Sequence, residues 1–292
     1  MIKIGIIGLY DKGNGHPFSF SSIINGYSVK GYKKSNYLNI LKYLQKKKTK
    51  DFGIKNTQVT HAWTQNYKTT KILCEASKIK YCLKDYKSMI DEIDALIIAR
   101  DDKHYEISKE FLKRNIPVFI DKPLSIDHKE LNFFLKYMNK GLLMSSSGLR
   151  FSPEVKKIKK ILIKLGNIKF IIANISNDWR RYGVHMLEVI EELNFLDIKK
   201  FEKIKSKSIS YNLINKKNVN IIINCLGRNK PILNLSFFGT KGKYSIDFKD
   251  NFSAFKNMLI KFVKMVETKK IVLSPKKTIN IMQILKKAET LS

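Results

Sequence analysis

Short, mostly apolar runs recurring through the first 145 positions constrain this chain more than anything else in it. Ile2–Gly8, Val59–Thr64, Ala95–Ala99 and Pro117–Ile120 read as strands, and Leu142–Ser145 is a candidate fifth. They are continuous rather than alternating, as strands buried on both faces are. Between them lie stretches with helical spacing: Thr69–Ser77, Tyr86–Glu92, His104–Arg114 and Lys129–Asn139. Strands alternating with helices predict βαβ units around a doubly wound parallel sheet.

The texture changes after Arg150-Phe151-Ser152-Pro153. A basic helix over Glu154–Leu165 ends at Gly166, and Ile168–Ile175 reads as a strand. A helix containing His185–Leu193 follows. Strand-like stretches come next at Ile204–Leu213, Val219–Leu226, Ile232–Phe238 and Gly242–Phe248. Two helices close the chain, Asn251–Glu267 and Pro275–Leu291. Runs of strands followed by helices predict an α+β domain with an open, mainly antiparallel sheet. The break near 146–150 divides the chain into residues 1–148 and 149–292, which suits 292 residues better than a single core does.

With 43% apolar residues the chain can bury a core, which excludes the disordered class. No uninterrupted apolar run is long enough to span a bilayer. Met1-Ile2-Lys3-Ile4-Gly5 runs straight into a turn and lacks the pattern of a signal peptide. Cys74, Cys82 and Cys225 form no CxxC pair, which suits a reducing compartment, so a cytoplasmic location is expected. His16, His61 and His128 lack partners at metal-ligand spacing, so no metal is expected. The net charge of +31 suggests a polyanion partner. Yet only six of the 56 basic residues are arginine, and the lysines are scattered, as on solvated surfaces.

The first strand delivers Gly5-Ile6-Ile7-Gly8-Leu9-Tyr10-Asp11-Lys12-Gly13. Against G-x-G-x-x-G, Gly8 and Gly13 fit, while Tyr10 stands where the middle glycine lets a pyrophosphate approach. A dinucleotide turn and a plain strand-to-helix turn both satisfy this stretch. Further on, Gly13-Asn14-Gly15-His16-Pro17 could present backbone amides to an anion in another way. The second strand ends at Gln65-Asn66 without the acid that usually holds an adenosine ribose. Amides can still bond a ribose, and Lys68 could face a 2′-phosphate, so NAD and NADP both stay open.

Three later stretches carry a resemblance. Asp94-Ala95-Leu96-Ile97-Ile98-Ala99 leads into Arg100-Asp101-Asp102-Lys103-His104. Ile116-Pro117-Val118-Phe119-Ile120 leads into Asp121-Lys122-Pro123-Leu124, and Tyr182-Gly183-Val184-His185 opens a helix in the second domain. In this order the set resembles the Gfo/Idh/MocA family of sugar and inositol dehydrogenases, with its T-P-N-x-x-H, E-K-P and later D-x-G-x-H elements. Leu149-Arg150-Phe151-Ser152-Pro153 and Phe238-Gly239-Thr240-Lys241-Gly242 extend the likeness over nearly the whole chain.

The resemblance implies a Rossmann-like dinucleotide-binding domain at 1–148 and a substrate-binding and oligomerisation domain at 149–292. It implies that Lys122 holds the substrate hydroxyl near the nicotinamide and that His185 is the general acid/base. Gly8, Tyr10, Gly13, Gln65, Asn66, Arg100, Asp101, His104 and Asp121 would surround the cofactor. Arg150, Asp178 and Tyr182 would join Lys122 and His185 at the substrate. His104 is expected to stitch the helix start to the nucleotide site. Arg181 stands four residues before His185, where the family has aspartate, leaving Asp178 and Tyr182 to replace that partner.

The expected activity is NAD(P)-dependent hydride transfer to or from a secondary alcohol of a sugar, polyol or nucleotide sugar, in a cleft between the domains. A homodimer or homotetramer is expected, without specific nucleic-acid binding. The first alternative is a non-catalytic relative that binds a sugar or nucleotide as a sensor or subunit, in keeping with Tyr10, Arg181 and the missing acid. The second is a nucleic-acid-binding protein, motivated by charge alone.

Overall fold

A computed structural model describes residues 1–10, 14–205, 207–227 and 232–290. The chain divides into two compact units, Met1–Ser146 with Phe255–Pro275, and Ser147–Ala254 with Lys276–Ser292.

In the first unit β1 (Ile2–Leu9) leads to α1 (His16–Asn25), α2 (Val29–Lys33) and α3 (Leu38–Leu44), and only then to β2 (Thr57–Thr64). There follow α4 (Tyr67–Ala76), β3 (Tyr81–Cys82), β4 (Ala95–Arg100), α5 (His104–Lys113), β5 (Val118–Ile120), α6 (His128–Met138) and β6 (Leu143–Ser145). The strands form a wholly parallel sheet in the order β3-β2-β1-β4-β5-β6. Ile4, Ile6, Ile7 and all of β4 are buried, which is why these strands read as continuous apolar runs. Helix starts follow local chemistry: Asn66 accepts the Thr69 amide at α4, and Asp127 accepts the Lys129 and Glu130 amides at α6. The strand order reverses between β1 and β4, so the carboxyl ends of β1, β2, β4 and β5 border one crevice.

The second unit begins with a tight turn at Gly148–Phe151 and α7 (Pro153–Leu162), started by the Ser152 side chain and Pro153. Next come β7 (Ile168–Ile175), a π-turn at Trp179–Gly183 and α8 (Val184–Glu192). The strands β8 (Ile198–Lys205), β9 (Ile209–Asn215), β10 (Asn220–Cys225), β11 (Leu233–Gly239) and β12 (Gly242–Asp247) follow. The chain closes with α9 (Asn251–Thr268) and α10 (Pro275–Thr290). The sheet order is β12-β11-β7-β10-β9-β8, antiparallel throughout except for β10 beside β7. Burial alternates along β10, the signature of a sheet with one packed face.

Four expectations need correction. The stretch Ile204–Leu213 is not one strand: it is split between β8 and β9, which pair antiparallel with Ile204 opposite Ser210. Tyr86–Glu92 is only a single turn, Tyr86–Met89, capped by Asp85; it serves to lay Met89 over Gly5. The strand-to-helix turn leads to α1 only at His16, and the sequence pattern marks neither α2 nor α3. Finally, a linear cut at 148 misses that Phe255–Pro275 packs with the first unit. Phe255 meets the rings of His16 and Phe20, and Phe262 meets Phe119, so apolar burial draws most of α9 there.

Candidate active site

The turn after β1 is shaped by close approach. A Cβ on Gly8 would lie 2.5 Å from Cβ of Pro17, so glycine there lets α1 start directly over the strand. Leu9 and Tyr10 take φ of 75° and 106°, conformations that favour glycine. Tyr10 thus adopts the backbone that the missing middle glycine would supply, with its side chain largely exposed. Gln65 at the end of β2 donates its side-chain amide to the Tyr10 carbonyl at 2.9 Å and fixes that geometry. Helix α1 starts at Gly15, and although Asn14 takes the amide of its first residue, His16, the positive end of the helix still favours an anion. Gly13 lies outside the described residues.

Asn14 joins the segment after β1 to the end of β4. The Asn14 side chain donates to Asp101 at 3.0 Å and accepts the His16 amide at 3.0 Å. Arg100 is buried, bonds Asp102 at 2.5 Å and lies over the Trp63 ring at 5.8 Å. His104 is buried with one ring nitrogen 2.7 Å from the Arg100 carbonyl and the other 2.9 Å from that of Leu124. Its ring stitches the start of α5 to the segment following Lys122.

Asp121 and Lys122 stand at the carboxyl end of β5, both buried. Asp121 Oδ2 lies 2.5 Å from His16 Nδ1, and its Oδ1 accepts the Lys122 amide at 2.9 Å. Burial alone would push the Asp121 carboxyl up. The His16 charge and hydrogen bond, with the Lys122 charge and amide, outweigh that and hold it down at about 2. His16 stacks on Phe20. A buried ammonium beside a locked carboxylate, at the switch point of the sheet, can hold a hydroxyl and favour its alkoxide character.

In the second unit His185 lies one residue into α8. Its Nδ1 is 2.6 Å from Ser147 Oγ, which also accepts the Leu149 amide at 3.2 Å. The Tyr182 ring meets the imidazole edge-on, with centroids 5.5 Å apart. Asp178 does not take the place of the missing aspartate at Nδ1. Its carboxylate is engaged in starting the π-turn, accepting the Arg181 amide at 2.9 Å. Arg150 is buried, with Nε on Glu188 and Nη1 3.5 Å from Glu192, so it ties the turn at 148–151 to α8. The remaining nitrogen, Nη2, is buried without a hydrogen-bond partner.

Sequence reasoning missed His16, Asn14 and Ser147. Gly15 followed by Pro17 was the available signal for a helix start that aims His16 at Asp121. Nothing local marks Ser147 as the partner of a histidine 38 residues away. A cavity of about 300 Å³ opens beside the glycine turn, bordered by Tyr10, Gln65, Asn66 and Thr69 and by the segment Lys34–Tyr37. Among the described residues, no group of three His, Cys, Asp or Glu side chains could hold a metal, and no helix is long and apolar enough to cross a membrane.

The cradle at Gly8, the positive end of α1 and the cavity at the end of β2 fit the phosphates and adenosine of a nicotinamide dinucleotide. Residues 29–144 match the Gfo/Idh/MocA family, described as an oxidoreductase family with an NAD-binding Rossmann fold. No curated protein matches the chain by sequence. Among solved structures, scyllo-inositol dehydrogenase from Lactobacillus casei superposes with a TM-score of 0.76 at 15% identity, covering 100% of this chain and 96% of its own. For myo-inositol 2-dehydrogenase from Lactobacillus plantarum the TM-score is 0.76 at 15% identity, with 99% and 96% covered. A 3-ketoreductase from Actinomadura kijaniata, in complex with TDP-benzene and NADP, gives 0.71 at 12% identity, with 99% and 96% covered. Residues 29–144 are thus similar to the NAD-binding Rossmann domain of the Gfo/Idh/MocA oxidoreductases, and the chain as a whole shares the two-sheet fold of these solved dehydrogenases.

Proposed function

We propose that this protein is an NAD(P)-dependent dehydrogenase or reductase acting on a secondary alcohol or ketone of a sugar, polyol or nucleotide sugar. The observation that carries the reading is the buried Asp121-Lys122 pair at the end of β5, with Asp121 fixed by His16. The inositol dehydrogenases and the 3-ketoreductase among the structural neighbours support a polyhydroxylated substrate.

When bound, the nicotinamide accepts or returns a hydride at C4. The chain does the rest. Gly8 and the start of α1 receive the pyrophosphate, and Gln65 and Asn66 border the adenosine ribose. The Lys122 ammonium donates to the reacting oxygen and stabilises negative charge as it develops there. His185 takes the hydroxyl proton during oxidation and returns it during reduction. Ser147 orients the ring, and a hydroxyl can donate or accept, so it serves either tautomer without a carboxylate.

Titration with NAD(H) and NADP(H), followed by absorbance of the reduced nicotinamide with inositols, sugars and nucleotide sugars, tests this. Binding plus turnover on one of these classes is the expected result. No dinucleotide binding at millimolar concentration overturns it, and binding without turnover on any of them favours a sensor or subunit.

A further inference from the structure

The three helices α1, α2 and α3 precede β2, and they place side chains at the adenosine end of the dinucleotide site. The excursion is held rigidly. Gly31 in α2 packs against α4 so closely that a Cβ would lie 2.5 Å from the Ala76 nitrogen. The Tyr32 hydroxyl bonds the Phe18 carbonyl at 3.0 Å and Ser22 at 2.8 Å, and Ser22 in turn meets Ser77 at 3.0 Å. Tyr37 packs on Phe18 with ring centroids 4.6 Å apart, and the Tyr43 hydroxyl bonds Ser19 at 2.6 Å. The outcome is that Lys34, Ser35 and Asn36 face Gln65, Asn66 and Thr69 across the cavity of about 300 Å³.

We infer that this cavity selects a 2′-phosphorylated adenine dinucleotide, NADP(H), over NAD(H), with Lys34 and Asn36 as the discriminating residues. The inference rests on the dinucleotide binding proposed above. At the end of β2 an acid would accept both hydroxyls of an unmodified ribose and repel a phosphate. Here the position carries Gln65, whose amide is already given to the Tyr10 carbonyl. The cavity walls contain an ammonium, amides and hydroxyls, and no carboxylate among the described residues. That chemistry matches a phosphate, which accepts hydrogen bonds and carries negative charge. Glu75 holds Lys34 at 2.6 Å, but both side chains are at least one-third exposed, and such a pair opens at little cost. A 2′-phosphate can therefore recruit the ammonium.

The test is calorimetric titration of the full chain with NADPH and NADH. NADPH should bind at least about 10-fold tighter, the scale of one charge-assisted contact. Lys34→Gln, at an exposed position, should remove most of that preference while leaving NADH affinity within about twofold. The isosteric Asn36→Asp puts a carboxylate into the wall and should weaken NADPH selectively. Equal or tighter binding of NADH by the wild-type chain overturns the NADP assignment and leaves the dinucleotide reading standing. An unchanged NADPH to NADH ratio in both variants removes Lys34 and Asn36 as its cause. Failure of either cofactor to bind overturns the dinucleotide reading and this inference with it.

Discussion

His16 Nδ1 lies 2.5 Å from Asp121 Oδ2, joining the first turn of α1 to the carboxyl end of β5 across 105 residues of sequence. The contact fixes the carboxylate next to Lys122 and stores pH-dependent stability. Asp121 is held at about 2 against a reference value of 3.8. A carboxyl depressed on folding stabilises fully above its unfolded pKa, and that contribution disappears as pH falls through the folded value. The difference corresponds to about 2 kcal/mol. Asp121→Asn should therefore lose about that much at neutral pH, with the gap closing between about pH 4 and pH 2. Urea unfolding of both proteins across that range checks it; a gap independent of pH would detach the ionised carboxylate from stability.

Tyr10 adopts φ of 106° and Leu9 of 75°, so the turn carries strain at two side-chain-bearing positions in succession. Tyr10→Gly removes the strain at one of them, worth about 1–3 kcal/mol, and adds back about 0.5–1 kcal/mol of unfolded-state entropy. A small net gain in Tm is expected, with dinucleotide affinity preserved or tightened because the backbone stays open to the pyrophosphate. Thermal unfolding and a cofactor titration read both. Lower Tm together with weaker binding would show that the tyrosine side chain itself contributes to the site.

Gly8 tests the opposite limit. A methyl group there meets the Pro17 ring at 2.5 and 2.6 Å, and a proline ring cannot swing aside as a flexible side chain would. Gly8→Ala should cost about 1–3 kcal/mol, the range for overpacking, and weaken dinucleotide binding by shifting α1 off the strand end. Wild-type stability and affinity in this variant would mean that α1 can move without penalty.

The elements legible in the sequence were those whose burial leaves a pattern. Continuous apolar runs mark most of the parallel strands, and apolar stretches mark β7, β10, β11 and β12 in the second unit. Helix α1 left no such trace because Pro17 through Ile24 are all buried, and a helix covered on every side has no amphipathic period. Short helices such as α2, five residues long, offer too little sequence for a period to show. Motif order singles out Asp121, Lys122 and His185 as candidates. It does not reach the partners brought by folding: His16 to Asp121 and Ser147 to His185 are long-range pairs that no local spacing encodes. Proximity in sequence points to Asp178 as the partner of His185, whereas the ring is bonded by Ser147, at the start of the second unit.

That pairing can be tested against the two residues assigned to the chemistry. Lys122→Met removes the cation and His185→Ala the proton shuttle, and each should lower turnover by about 10²–10⁴. Cofactor affinity should change far less, because neither side chain is assigned to the adenosine half. If both act on one hydroxyl in one step, the double variant should lose much less than the product of the single losses. Ser147 touches the reaction only through the ring it orients, so Ser147→Ala should cost roughly 10-fold in turnover and leave KM nearly unchanged. Ser147→Thr keeps the hydroxyl and should recover most of that loss, which a merely structural role for the serine would not predict. Turnover within about threefold of wild type for both Lys122→Met and His185→Ala, on a verified substrate, would take these residues out of the mechanism.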